Sequence, residues 1–225
     1  HPQFSDIFRN TYNEILPYSH LSVFTNGLMP DKVLDLMLEL AGPNGARDKN
    51  VVFAILLNWQ TLENISEKNH ERCKEVAEKM LRINGYSVTF SINLYSKNQD
   101  LEKQCEEIDA IYQKAGLPKG KQYKVRVSPA FPIIGGEANI YLPIRDYPKV
   151  GRQMLKILDR FPQMCFRFDC SFPPCFLDEI EEDQFALTDR FFFHGNKQLP
   201  PTEEWKNNDY YFGCADGSPM DIDSK

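Results

Sequence analysis

The sequence has no apolar run approaching the ~20 residues that a membrane helix requires, so no spanning segment is expected. It also lacks an excess of positive charge. Its 26 Lys and Arg against 32 Asp and Glu leave a net charge of −6, which removes the electrostatic reason to expect nucleic acid or an anionic membrane as partner. There is no P-loop and no G-x-G-x-x-G, and the four histidines (His1, His20, His70 and His194) show no H-x3-H pairing, so a histidine-based metal site is not expected. Six cysteines over 225 residues are too few for a dense disulfide framework, and a reduced, cytoplasmic protein is expected. The opening His1-Pro2-Gln3-Phe4 carries neither a basic nor an apolar segment, so no secretion signal is expected there.

What is present is an alternation of two hydrophobic periods. Phe4, Ile7, Phe8, Thr11 and Ile15 recur at helical spacing up to Pro17. Leu21–Thr25 reads as a strand and Asn26-Gly27 as a turn, and Asp31 opens a helix showing Val33, Leu34, Met37 and Leu38 before Gly42-Pro43. Asn50–Trp59 is nearly all apolar, as expected of a strand covered on both sides. A helix with Ile65, Cys73, Val76, Ala77 and Met80 follows, then a strand over Ser87–Tyr95 and a helix with Leu101, Cys105, Ile108 and Tyr112. Tyr123–Phe131 is the next strand, Asp146 is placed to cap a helix running to Pro162, and Cys165–Cys170 is the last strand. Strands separated by helices of this length imply right-handed crossovers and a parallel sheet. The expected class is α/β, a partial (β/α) barrel of parallel strands with helices outside. Beyond Cys170 the rhythm fails, so residues 1–170 are expected to form the barrel and residues 171–225 an irregular C-terminal extension, with a boundary near Ser171.

Three strands alternate polar with apolar residues: Thr89, Ser91 and Asn93 against Val88, Phe90 and Ile92; Arg126 and Ser128 against Val125 and Val127; Arg167 and Asp169 against Phe166 and Phe168. Period two sends each polar set to one face. Burying such groups without partners would cost roughly 1–3 kcal/mol each, a cost removed by water and a polar ligand, and two arginines on such a face suit a carboxylate or phosphate. A self-satisfied polar network is the bland alternative. In barrels the site lies at the C-terminal strand ends, which marks Thr25, Asn26, Asn58, Asn93, Ser128 and Asp169. Trp59, beside Asn58, is either a stacking surface for a ligand base or, more simply, core. No residue is singled out as catalytic.

The string LSVFTNGL at Leu21–Leu28, followed by Met29-Pro30 and a helix, resembles the third strand and turn of radical S-adenosylmethionine (radical SAM) enzymes. His1-Pro2-Gln3-Phe4 resembles the segment after that family's GGEP motif, and Ser128–Val150, with Pro132, Asn139 and Asp146-Tyr147, resembles a later strand–helix pair of its SPASM and twitch subgroup. The resemblance covers residues 1 to about 170 and implies a 4Fe–4S cluster held by a CxxxCxxC loop. The cluster binds SAM and cleaves it reductively to methionine and a 5′-deoxyadenosyl radical, which takes hydrogen from a small-molecule or peptide substrate. It also implies that Asn58, Asn93 and Ser128 help hold SAM, and the alternation adds Arg126 for its carboxylate. No CxxxCxxC occurs in these residues, and Gly135-Gly136-Glu137 stands in the wrong place to be the GGEP strand. The chain is therefore expected to be a piece of a longer enzyme, to bind no cofactor by itself, and to risk dimerisation through an exposed sheet edge.

Cys170, Cys175 and Cys214, clustered past the last strand, resemble the start of an auxiliary 4Fe–4S region, whereas Cys73 and Cys105 fall on helical patterns and read as core. Two rival readings remain open. One is a TIM-barrel-like lyase or hydrolase using Asp169 or Asp109 with an arginine, and the other is a degenerate, non-catalytic binding domain.

Overall fold

The two periods translate into five α-helices and seven β-strands among the described residues. The computed structural model describes residues 3–15, 21–43, 53–62, 64–84, 88–116, 120, 122–130, 140–168, 176, 187, 190–193 and 197–198. The chain divides into two compact units, His1–Ser91 with Glu107–Lys121, and Ile92–Glu106 with Gln122–Lys225. The expected boundary near Ser171 lies outside the described residues.

The first unit contains α1 (Phe4–Ile15), β1 (Leu21–Thr25), α2 (Asp31–Ala41), β2 (Phe53–Asn58), α3 (Glu67–Asn84), the first residues of β3 (Val88–Leu94) and the later part of α4 (Leu101–Lys114). β1 and β2 pair in parallel, Leu21 with Phe53 through Thr25 with Leu57, and β2 pairs in parallel with β3 from Ile55–Val88 to Asn58–Ser91. Helices cover one face. Phe8 and Tyr12 of α1 set their rings 6.1 Å from that of Phe53, and the Tyr12 hydroxyl donates to the Leu40 carbonyl of α2 at 2.8 Å. Phe90 packs against Tyr112 of α4, whose buried hydroxyl donates to the Val88 carbonyl at 3.0 Å.

Strand β2 departs from the expectation that both its sides are covered. Phe53, Ile55 and Leu57 are buried while Ala54, Leu56 and Asn58 are half-buried. An apolar run alone cannot distinguish two covered faces from one covered and one partly open. On α2 the buried face is Leu34, Leu36, Met37, Leu40 and Ala41 rather than one carrying Leu38. Trp59 is 2% exposed between His70 and Phe90, so its role is core.

The second unit holds the end of β3, the start of α4, β4 (Tyr123–Pro129), α5 (Tyr147–Arg160), β5 (Met164–Phe168), β6 (Phe191–Phe193) and β7 (Lys197–Gln198). β4 pairs in parallel with β5 from Tyr123–Met164 to Val127–Phe168. The segment past Cys170, expected to be irregular, supplies two short strands: β6 runs parallel to β5, and β7 returns antiparallel to β6. Asp146 stands at the start of α5 but makes no capping bond, because its carboxylate is taken by Lys97 at 2.9 Å. Arg160 at the other end of α5 reaches Glu102 at 2.5 Å and Glu106 at 2.8 Å on α4. The fold class is thus α/β with parallel strands and helices. Among the described residues no helix is long and apolar enough to cross a membrane.

Candidate ligand-binding face

Residues paired across parallel strands point to the same side of the sheet, so the registers sort every strand side chain onto a face. In the first unit one face carries Val23, Ile55 and Val88 in one row and Thr25, Leu57 and Phe90 in the next. These rows contain the core residues Ile55, Leu57, Val88 and Phe90. The opposite face carries Phe24, Leu56 and Thr89 in one row and Asn58 with Ser91 in the next. Asn58 and Thr89 are half-buried there, and Phe24 is 72% exposed.

Thr25 is accordingly on the helix-covered side and not on the side of Asn58. Its hydroxyl oxygen accepts from the Gly27 amide at 3.1 Å, and the Asn26 side-chain oxygen accepts from the Leu28 amide at 3.1 Å. Both polar groups shape the turn, as Ser, Thr and Asn do where the backbone reverses. The Cys73 thiol donates to the Asn26 carbonyl at 3.0 Å, and Gly27 sits at φ +77. A Cβ on Gly27 would lie 3.1 Å from the Cys73 sulfur and 3.2 Å from the Cys73 Cα. Gly27→Ala is expected to cost about 2 kcal/mol, combining left-handed strain with displacement of α3. Gly116→Ala, at φ +79 with open space around it, should cost only about 1 kcal/mol. Urea denaturation of the two variants checks the difference.

In the second unit the registers place Lys124 beside Cys165 and Arg126 beside Arg167 on one face. Val125, Phe166 and Phe191 form a row on the other, where Phe166, Phe168, Phe176 and Phe191 make an aromatic cluster. Lys124, Arg126, Ser128 and Arg167 are all half-buried, against fully buried Val125, Val127, Phe166 and Phe168. The Arg167 Nε is buried and has no hydrogen-bond partner among the described residues.

An Ala130 amide to Leu94 carbonyl bond of 2.7 Å joins the C-terminal ends of β3 and β4, where Asn93 and Ser128 stand. Asn93 is exposed. The loop after it is held by a buried amide pair, Gln99 donating to the Asn93 carbonyl at 3.0 Å and to Gln104 at 2.8 Å. Within this unit the structure gathers Arg126 and Ser128 on one strand and sets Arg167 beside Arg126, the second arginine that the alternation had put on the polar face without a ligand role of its own. The alternation in β5 held the signal, and the missing step was the register. No family model, curated protein or solved structure matches the chain.

Metal-binding capacity is a separate question. Cys170, Cys175, Cys214, His194 and Asp169 lie outside the described residues. Among the described residues no group of three or more His, Cys, Asp or Glu side chains is placed to hold a metal ion. Burial pushes the thiols of Cys73, Cys105 and Cys165 up from their ordinary value, as befits buried core groups. The described residues therefore do not fit an iron–sulfur cluster.

Sequence reasoning also missed a buried pair in the first unit. His70, 1% exposed, sets its Nε2 3.0 Å from Glu107 of α4, with the Trp59 ring tilted against it at 5.2 Å. Partners 37 positions apart leave no local signal.

Proposed function

We propose that these residues form part of the barrel wall of a radical SAM iron–sulfur oxidoreductase acting on a small-molecule or peptide substrate. What supports the reading is the one-sided polarity of β4 and β5, with Arg126 and Arg167 side by side and half-buried opposite a wholly apolar face. Parallel strands covered by helices are ordinarily apolar throughout, so a cationic face argues for a ligand surface. The order of strands and helices and the tight turn at Thr25–Gly27 agree with the family resemblance.

In this reading Arg126 and Ser128 donate to oxyanions and hydroxyls of the ligand, and Asn93 adds an amide at the strand end. The cluster and its chemistry would be supplied by residues other than the described ones. The lyase or hydrolase reading gains nothing from Asp109, which lies on α4 within 3.5 Å of the Gln113 amide and not on a strand.

The test is anaerobic reconstitution of the full-length protein carrying this sequence with iron, sulfide and a reductant, followed by assay with SAM. Formation of 5′-deoxyadenosine and methionine in equal amounts is the expected result. Substrate turnover without iron or reductant, or no SAM cleavage by the reconstituted protein, would discard the proposal.

A further inference from the structure

We infer that Asn26 is a latent modification site, open to spontaneous conversion to aspartate and isoaspartate and held back in the folded chain by the Thr25 hydroxyl. The inference needs neither iron nor SAM, and it is independent of what the open face of the sheet binds. Asn26 is exposed just past the end of β1 and is followed by Gly27. Glycine has no Cβ, so no side chain shields its amide nitrogen from the asparagine carbonyl.

In the reaction the Gly27 amide gives its proton to a base in solvent, and its nitrogen attacks the Asn26 side-chain carbonyl carbon. The new N–C bond forms, the bond from that carbon to Nδ2 breaks, and Nδ2 leaves as ammonia. Water then opens the five-membered imide at either carbonyl, giving aspartate or isoaspartate. The sum is an amide plus water going to a carboxylic acid plus ammonia, with no oxidation or reduction.

Both reacting groups are engaged in the structure. The Gly27 amide, which must lose its proton, donates it to Thr25 Oγ1 at 3.1 Å within a buried residue. The Asn26 side-chain oxygen accepts from the Leu28 amide at 3.1 Å. The main chain between them is held as well. The Cys73 thiol donates to the Asn26 carbonyl at 3.0 Å, and Gly27 at φ +77 lies close against Cys73 and Leu57. Ring closure therefore requires the turn to leave α3. Isoaspartate would lengthen the main chain by one carbon in that same tight place and add a negative charge, so the product would not fit back against Cys73.

The test is incubation of the 225-residue protein in mildly alkaline buffer, folded and in urea, with the Asn26 peptide followed over time by mass-spectrometric mapping. Mapping is needed because Asn44-Gly45 and Asn84-Gly85 can react in the same way. With two side-chain bonds to break, each weighing about five-fold, conversion at Asn26 should be about 25-fold slower folded than in urea. Thr25→Val removes the hydroxyl and should speed conversion in the folded protein about five-fold. Thr25→Ser keeps the hydroxyl and should react as slowly as the unaltered protein. Gly116→Ala, which lowers stability at the end of α4, separates the local lock from general loosening, and its Asn26 rate should also be unchanged.

Equal rates folded and in urea would overturn the inference, and that comparison stands even if the valine variant does not fold. So would a folded valine variant that reacts no faster than the unaltered protein, or an acceleration shared equally by Thr25→Ser or Gly116→Ala.

Discussion

Gly151→Ala is expected to lower stability by about 3 kcal/mol, reversing the sign that helix propensity alone would give. Alanine in a helix interior is ordinarily better than glycine by about 1 kcal/mol, and Gly151 lies within α5. A Cβ there would fall 1.8 Å from the carbonyl oxygen of Phe176 and 3.2 Å from its ring. A backbone oxygen cannot rotate away as a side-chain tip can, so the 176 segment must move, and overpacking of this kind costs about 1–3 kcal/mol or more. Phe176 is 1% exposed, with its ring 5.0 Å from Phe168 and 5.5 Å from Phe191, so its displacement loosens the aromatic cluster. Urea denaturation of the 225-residue protein reads the effect. A stabilised alanine variant would contradict the packing described.

Arg190→Ala should cost a comparable amount, about 3 kcal/mol. The last turn of a helix leaves carbonyls without partners, and here a guanidinium supplies them. Arg190 donates to the carbonyls of Leu158, Phe161 and Met164, tying the end of α5 and the start of β5 to the strand that begins at Phe191. Desolvation lowers its pKa, opposed by the nearby Cys165 and Asp159, yet an arginine stays charged. Bonds from a charged donor contribute about 1.5–3 kcal/mol each and are not additive. Lysine, with one point charge in place of the fork, should recover less than half of the loss. A lysine variant as stable as the native protein would show that charge near the helix end matters and the fork does not.

How far these features were legible differs by element. Hydrophobic period located β1 at Leu21–Thr25 as observed, and β3, β4 and the helices within a few positions, because each carries its own apolar stripe. Strand parity also held for the polar face of β4 and β5. Thr25 is marked by its place at a strand end alone, and the register corrects it: Thr25 joins Leu57 and Phe90 on the covered face while Phe24 takes the open one. The side chain of Asp146 was assigned to a cap on position alone, whereas a lysine 49 positions away claims it. Arg190, Gly151 and the His70–Glu107 pair carry no local pattern, since their partners lie 25 or more residues distant and only the tertiary fold selects them.

The claim on which the account turns is that the guanidinium-bearing side of β4 and β5 receives an oxyanion. The direct measurement is the arginine side-chain N–H correlation spectrum of the 225-residue protein during titration with inorganic phosphate. The account predicts that the Arg167 Nε–H signal shifts saturably, while those of Arg9, Arg72 and Arg160, engaged in ion pairs with Glu39, Asp31 and Glu102, stay in place. Shifts confined to Arg9, Arg72 and Arg160, or a linear drift common to all arginines, would contradict it.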